Sequence, residues 1–221
     1  MFAKLAAFDM DSTLIQCEVI DELARMNDKY GQVARITEEA MRGKLDFVSS
    51  LRERVKQLKG IHISQINEFK GTLPYTTGLS ELMNYLKKHN YYTAILSGGF
   101  SFFAEQIRND YGFDFVRCNQ LELINDRLTG ELIGEIVDKN VKATSILEIA
   151  EANQISIEHT VAIGDGMNDL EMLQNTKTGI AFCPKHELAE KASYVISTAD
   201  LSLVIEILEN QQNSLNAVTI S

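Results

Sequence analysis

Asp9 and Asp11 stand two residues apart at the end of a short apolar run, Phe2 to Phe8. In extended backbone, residues i and i+2 point the same way. The spacing therefore presents two carboxylates to one spot. Their repulsion raises one pKa or demands a cation, which suits a nucleophile held beside a general acid. Taken alone, the pair also reads as an acidic surface loop or, with Thr13, a helix cap. It is no EF-hand, because Leu14 stands where that loop needs Gly. Ser97-Gly98-Gly99 offers a hydroxyl and bare N–H groups ahead of a helix, which makes an anion site or a flexible turn. It is no nucleophile elbow, since Ile95 occupies the first Gly position of that motif. Lys142 opens a further helix, where an ammonium can neutralise a phosphate or simply face solvent. Gly164-Asp165-Gly166-Met167-Asn168-Asp169 fails as a dinucleotide fingerprint, because Asp169 replaces the third Gly. It supplies more carboxylates, which from separate loops suit Mg²⁺, or it is an Asp-Gly turn.

These groups form one site only if a framework brings their loops together. Leu5 to Phe8, Tyr91 to Leu96, Thr160 to Ile163, Thr178 to Phe182 and Tyr194 to Ile196 read as strands. Helical spacing lies between them, at Leu79-Leu82-Met83-Leu86, Phe103-Ile107-Tyr111, Ile146-Leu147-Ala150, Leu170-Leu173 and Leu188 to Lys191. A last helix is expected over Leu201 to Leu208. Strands alternating with helices imply right-handed βαβ units and a mostly parallel sheet. The expected class is α/β, a Rossmann-like core with helices on both faces. In such a sheet ligands bind at the carboxyl ends of the strands, which is where every group above falls. Residues 15–73 carry helical patterns only, at Glu18 to Met26, Ile36 to Arg42 and Phe47 to Leu58, and read as a helical cap inserted after the first strand. Gln120 to Ile136 alternates around Asn125-Asp126 and reads as a small β-hairpin. The expected organisation is a core of 1–14 and 74–210, a cap of 15–73, and a polar tail of 211–221.

The chain has 221 residues, 21 Lys+Arg against 31 Asp+Glu, and a formal net charge of −10. With 45% hydrophobic residues it can build a real core and is too apolar for disorder. The acidic balance argues against nucleic acid and anionic membranes, which need clustered cations. The densest basic stretch, Arg52 to Lys59, holds only four cations and one acid and reads as a solvated helix face. No segment reaches the ~20 apolar residues that span a bilayer. The run Phe2 to Phe8 is interrupted by Lys4 and is too short for a signal peptide. Cys17, Cys118 and Cys183 are far apart with no Cys-x-x-Cys, which suits inert thiols in a cytoplasmic protein. His62, His89, His159 and His186 lie outside the loops described above.

In order, Asp9-x-Asp11-x-Thr13, Ser97, Lys142 and Gly164-Asp165-Gly166-x-Asn168-Asp169 resemble the motifs of the haloacid dehalogenase superfamily of phosphotransferases. More narrowly, the chain resembles the phosphoserine phosphatase branch. That match rests on Phe8 to Leu14, Glu18, Ala40 to Phe47, Leu51-Arg-Glu-Arg54, Ser97 to Phe100 and Gly164 to Asp169. It covers about Phe2 to Leu208. The resemblance implies Mg²⁺-dependent hydrolysis of L-phosphoserine to L-serine, the final step of serine biosynthesis. Asp9 would attack phosphorus, and Asp11 would protonate the departing oxygen and later deprotonate water. Asp9, the Asp11 backbone carbonyl and Asp165 would bind Mg²⁺. Ser97, the Gly98 N–H, Lys142 and Asn168 would hold the phosphate, and Asp169 would orient Lys142 or a metal-bound water. In the cap, Glu18 would pair with the substrate ammonium and Arg54 would grip its carboxylate. Met41 and Phe47 would close over the site. The N-terminal regulatory region of some bacterial relatives has no counterpart here, so feedback control through it is not expected.

Other activities share these residues. A phosphotransferase passing the phosphoryl group to an alcohol such as homoserine, or a broader phosphomonoesterase, would use the same core. A signalling receiver would also use an Asp, a Ser and a Lys, but would have no purpose for Asp11 or for a helical cap.

Overall fold

Strand β1 (Lys4–Phe8) is buried on both faces: Ala6 and Phe8 enter one apolar layer, Leu5 and Ala7 the other. That pattern belongs to a central parallel strand, and β1 is central. The computed structural model describes residues 2–184 and 186–218. It contains β2 (Tyr91–Phe100), β3 (Phe115–Ile124), β4 (Arg127–Ile133), β5 (Thr160–Gly164), β6 (Thr178–Phe182) and β7 (Tyr194–Ile196). The sheet order is β4-β3-β2-β1-β5-β6-β7. Every pair is parallel except β3 with β4.

Four helices follow β1 as the cap: α1 (Val19–Met26), α2 (Tyr30–Met41), α3 (Phe47–Lys56) and α4 (Ile63–Lys70). The framework helices are α5 (Leu79–Lys88), α6 (Ser101–Tyr111), α7 (Lys139–Ala152), α8 (Leu170–Gln174) and α9 (Leu203–Val218). Apolar residues of α7 and α8 pack with Leu5, Ala7 and Ala162 on one face. Residues of α5, α6 and α9 pack with Phe8, Ile163 and Phe182 on the other. The core is thus a Rossmann-like α/β sheet covered on both faces. Among the described residues no helix is long and apolar enough to cross a membrane.

Several boundaries differ from the sequence reading. The expected hairpin is present as β3 and β4 and is joined to the main sheet. Its first strand begins at Phe115, and Phe115 to Asn119 pair in parallel with β2 before Gln120 turns to β4. Arg117 and Asn119 interrupt the apolar pattern there, but each is matched by a specific partner. Arg117 donates to Ser145 Oγ and pairs with Glu148, both at 2.7 Å. The 188–191 helix is a 3₁₀ turn over His186–Glu190. The last helix runs to Val218, well past Leu208. Leu203, Val204 and Leu208 pack on the core, after which each added residue extends a formed helix at low cost. Gln211 accepts from Thr178 Oγ1 at 3.0 Å and donates to Tyr194 OH at 3.3 Å, tying the next turn to β6 and β7. Of the expected polar tail, 219–221 lie outside the described residues.

The hairpin also holds the cap. Asn125 and Asp126 both take positive φ, 50° and 60°, and turn the chain tightly. Gly60 N–H donates to Leu128 O at 2.8 Å, Leu128 N–H to Ile61 O at 2.9 Å, and Ile63 N–H to Asp126 O at 2.8 Å.

Candidate active site

At the carboxyl ends of β1, β2 and β5 lies a cleft of about 470 Å³, roofed by the cap. Asp9 and Asp11 line it from the turn after β1, Ser97 and Gly98 from β2, and Asp165 and Asn168 from the loop after β5. Glu18, Met41, Phe47 and Arg54 line it from the cap. Lys142 and Asp169 lie beneath its floor, at 1% and 0% exposure. All the candidate residues therefore meet at this cleft or directly under it. Ile20 also lines it, as do Leu51, Gly99, Phe100, Gly166 and Met167, which the sequence reading named within motifs but gave no role as site residues. Most of them neighbour a candidate residue in the chain or, like Leu51 beside Phe47 and Arg54, share a helix face with one.

The floor is a buried charge cluster. Lys142 Nζ is 2.8 Å from Asp9 Oδ1 and 2.7 Å from Asp169 Oδ1. Burial alone would lower the Lys142 pKa, but Asp169 and Asp9 outweigh it and hold the ammonium above the ordinary lysine value. Asp169 uses its other oxygen to accept from the N–H groups of Asp165 and Gly166, both at 3.1 Å. Burial pushes its pKa up to about 6, with Asp9 adding to the rise and Lys142 opposing it. Asp169 thus braces Lys142 on one side and the Asp165 loop on the other. Gly164 makes this possible, since a Cβ there would lie 2.5 Å from Asp169 Cγ and 2.6 Å from its Oδ2. Gly164→Ala is expected to displace Asp169, with a stability cost of about 1–3 kcal/mol. Chemical denaturation and steady-state turnover, both lowered, check this.

Asp11 is the second titrating group. Burial raises its pKa well above the ordinary carboxyl value, and Glu18 and Asp9 raise it further. Its Oδ1 is buried without a hydrogen-bond partner among the described residues. Asp9, Asp165 and Asp169 each offer a carboxylate oxygen, all within 4.8 Å of one another. Three buried carboxylates against one ammonium leave an excess of negative charge, and the donors are all oxygen. This set fits a hard divalent cation.

The cap supplies the opposite wall of the cleft. Glu18 stands at the start of α1, and its Oε1 accepts from Ser12 Oγ at 2.8 Å. Arg54 is on α3, its Nε donating to Ser50 O at 3.4 Å. Burial lowers its pKa, while Asp21, Glu18 and Asp11 favour the charged form. Arg54 is therefore a cleft residue within a helix whose Arg52 and Lys56 are exposed, as expected of a solvated face. Met41 is 70% exposed and Phe47 39%, at the mouth. The cysteines take no part in this cleft. Burial pushes the Cys17 and Cys118 thiols up to about 12. His62 caps α4 and His89 stacks on Tyr85. The His186 side chain lies outside the described residues.

Residues 6–174 match the family model described as haloacid dehalogenase-like hydrolase. Phosphoserine phosphatase of Idiomarina loihiensis is 41% identical over 208 residues, covering 94% of this chain and 94% of that protein. A solved structure of a phospho-aspartyl intermediate analogue of phosphoserine phosphatase matches with TM-score 0.87 and 39% identity, over 94% of this chain and 99% of that one. A substrate-bound phosphoserine phosphatase complex matches with TM-score 0.87 and 38% identity, over the same shares of 94% and 99%. Matched in sequence and in fold along nearly its whole length, the chain belongs to the haloacid dehalogenase-like hydrolase family, among its phosphoserine phosphatases.

Proposed function

We propose that this chain hydrolyses L-phosphoserine to L-serine and phosphate, with Asp9 as nucleophile and Mg²⁺ as cofactor, in the cytoplasm. The observation that carries this reading is the single cleft with two poles. Asp9, Ser97 and Asn168 form a phosphate end above buried Lys142, and Glu18 and Arg54 form an amino-acid end. A serine moiety carries an ammonium and a carboxylate, which match Glu18 and Arg54. A signalling receiver would have no use for that second pole.

A carboxylate oxygen of Asp9 attacks phosphorus, and the bond from phosphorus to the serine oxygen breaks. The raised pKa of Asp11 favours the protonated carboxyl that donates to this leaving oxygen. Asp11, now ionised, takes a proton from water, whose oxygen attacks phosphorus and releases Asp9. Ser97, the Gly98 N–H and Lys142 hold phosphate oxygens as charge redistributes. Asp9, Asp165 and the Asp11 backbone carbonyl would hold Mg²⁺, which supplies charge neutralisation for the carboxylate and the incoming dianion. Met41 and Phe47, exposed at the mouth, would exclude bulk water on closing over bound substrate.

Phosphate release from a panel of small phosphomonoesters tests the assignment, with EDTA and Mg²⁺ arms and with or without homoserine. L-Phosphoserine should be hydrolysed preferentially, only with added divalent cation, and without transfer to homoserine. Equal rates across the panel would remove the phosphoserine preference. Arg54→Ala should lower kcat/KM for L-phosphoserine by about 100-fold, the worth of a charge-assisted bidentate contact. For a phosphoester with no carboxylate the loss should stay within about threefold. Equal losses on both substrates would take Arg54 out of recognition.

A further inference from the structure

The strand ladder between β2 and β3 is broken where the cleft begins. Ser97 pairs with Cys118, but the next pair is Phe100 with Asn119. Gly98 and Gly99 therefore bulge out of the ladder, and their peptide groups lose their strand partners. The Asn119 side chain, 1% exposed, fills that break. Its Nδ2 donates to the Gly98 carbonyl at 2.8 Å, and its Oδ1 accepts from Val137 N–H at 2.9 Å. A carbonyl can only accept and an amide N–H can only donate, so the two partners fix which end of the amide is which.

The Gly98 carbonyl and the Gly99 N–H belong to one planar trans peptide, so they point in opposite directions. The Gly99 N–H donates to Ser97 Oγ at 3.0 Å. A serine hydroxyl has one proton, and with a lone pair occupied by Gly99 that proton is free to face the cleft that Ser97 lines. The donors therefore run in one sense: Asn119 amide to the Gly98–Gly99 peptide, peptide to the Ser97 oxygen, Ser97 proton toward the cleft. Buried chains of this kind polarise each successive donor. The other leg anchors Val137, one residue before Asp138, whose Oδ1 accepts from Val141 N–H at 2.9 Å and caps the helix carrying Lys142.

We infer that Asn119 is a positioning residue for phosphoryl transfer: it sets the Gly98–Gly99 peptide so that Ser97 is a committed donor to the phosphate, and ties that turn to the start of the Lys142 helix. This rests on the proposed reading, in which Ser97 binds the phosphate.

Two substitutions separate positioning from support. Asn119→Asp keeps an acceptor for Val137 N–H and replaces the donor to Gly98 by a buried carboxylate oxygen, whereas Asn119→Leu removes both donor and acceptor without adding charge. Each is made in the parent protein and in a Ser97→Ala background, and measured for phosphoserine kcat/KM, inhibition by inorganic phosphate and thermal midpoint. In the parent, Asn119→Asp should lower kcat/KM by about tenfold and weaken inorganic phosphate by a similar factor. In the Ser97→Ala background the same change should cost less than about twofold, because the relay already lacks its last donor. Equal fold-losses in the two backgrounds would overturn the proposal, as would phosphate affinity that does not move. Failure of both variants to fold would assign the amide to stability alone and overturn it equally. Ser97→Ala with unchanged kcat/KM, or a parent protein inactive on phosphoserine, would instead refute the underlying reading, and the relay with it.

Discussion

Asp9→Asn should lower kcat on phosphoserine by on the order of 10⁴-fold or more, the scale on which removal of a nucleophile is felt. An amide oxygen carries no formal charge and does not displace the serine oxygen from phosphorus at a useful rate. The fold should survive the change, and the reason is electrostatic. Lys142 remains 2.7 Å from Asp169 when the Asp9 charge is removed. Asp9, Asp165 and Asp169 crowd their oxygens within 4.8 Å, so one charge fewer relieves repulsion in the metal-free protein. The thermal midpoint in EDTA should therefore hold or rise. The increase in midpoint on adding Mg²⁺ should shrink, because a ligand that binds only the folded state stabilises in proportion to its affinity. Phosphate release and thermal unfolding with and without Mg²⁺ measure these together. Retention of more than about a tenth of the parent kcat would end the assignment of Asp9 as nucleophile.

The parts of this site that were legible in the sequence are those fixed by local geometry. The i, i+2 placement of Asp9 and Asp11 follows from strand periodicity, and so does the two-sided burial of Leu5 to Phe8. The cap helices are visible as helical spacing without strands. What local pattern does not carry is depth and pairing across the chain. Lys142 reads as an ordinary lysine opening a helix, and its burial between Asp9 and Asp169 depends on contacts 133 and 27 residues away in the chain (142 − 9 and 169 − 142). Its place at a helix start offered a phosphate role or a solvent-facing one, and the family resemblance favoured the first. Asn119 was missed for a related reason. A polar residue in a strand suggests a strand end, so the 115–119 half of β3 was not recognised. Its polarity is satisfied by Gly98 and Val137, two positions that no local window includes. Arg54 shows the converse: composition placed it in a basic helix face, yet it faces the cleft while Arg52 and Lys56 face solvent.

The same burial makes Lys142→Met the most damaging single change expected for the fold. Methionine matches the length of the stem but leaves Asp9 and Asp169 facing a volume without a counter-charge. Removing one partner of a buried ionic cluster costs about 3–5 kcal/mol, mostly from the charge left behind. Activity should fall by about 10³-fold or more, since the ammonium that steadies the nucleophile and the phosphate is gone. These two losses have different cures. Adding Asp169→Asn to Lys142→Met removes one of the two stranded charges, the more deeply buried one, and the Asn carbonyl can still accept from the Asp165 and Gly166 N–H groups. The double variant should regain much of the lost stability in urea denaturation while its turnover stays down. Mg²⁺ should also raise the midpoint of Lys142→Met by a larger increment than it raises the parent, because the cation then meets more uncompensated carboxylate charge. If Lys142→Met unfolds at the parent's urea midpoint, the charge cluster does not carry the stability assigned to it. If the double variant recovers both stability and turnover, Lys142 serves only to offset Asp169, and the phosphate must find its positive charge elsewhere.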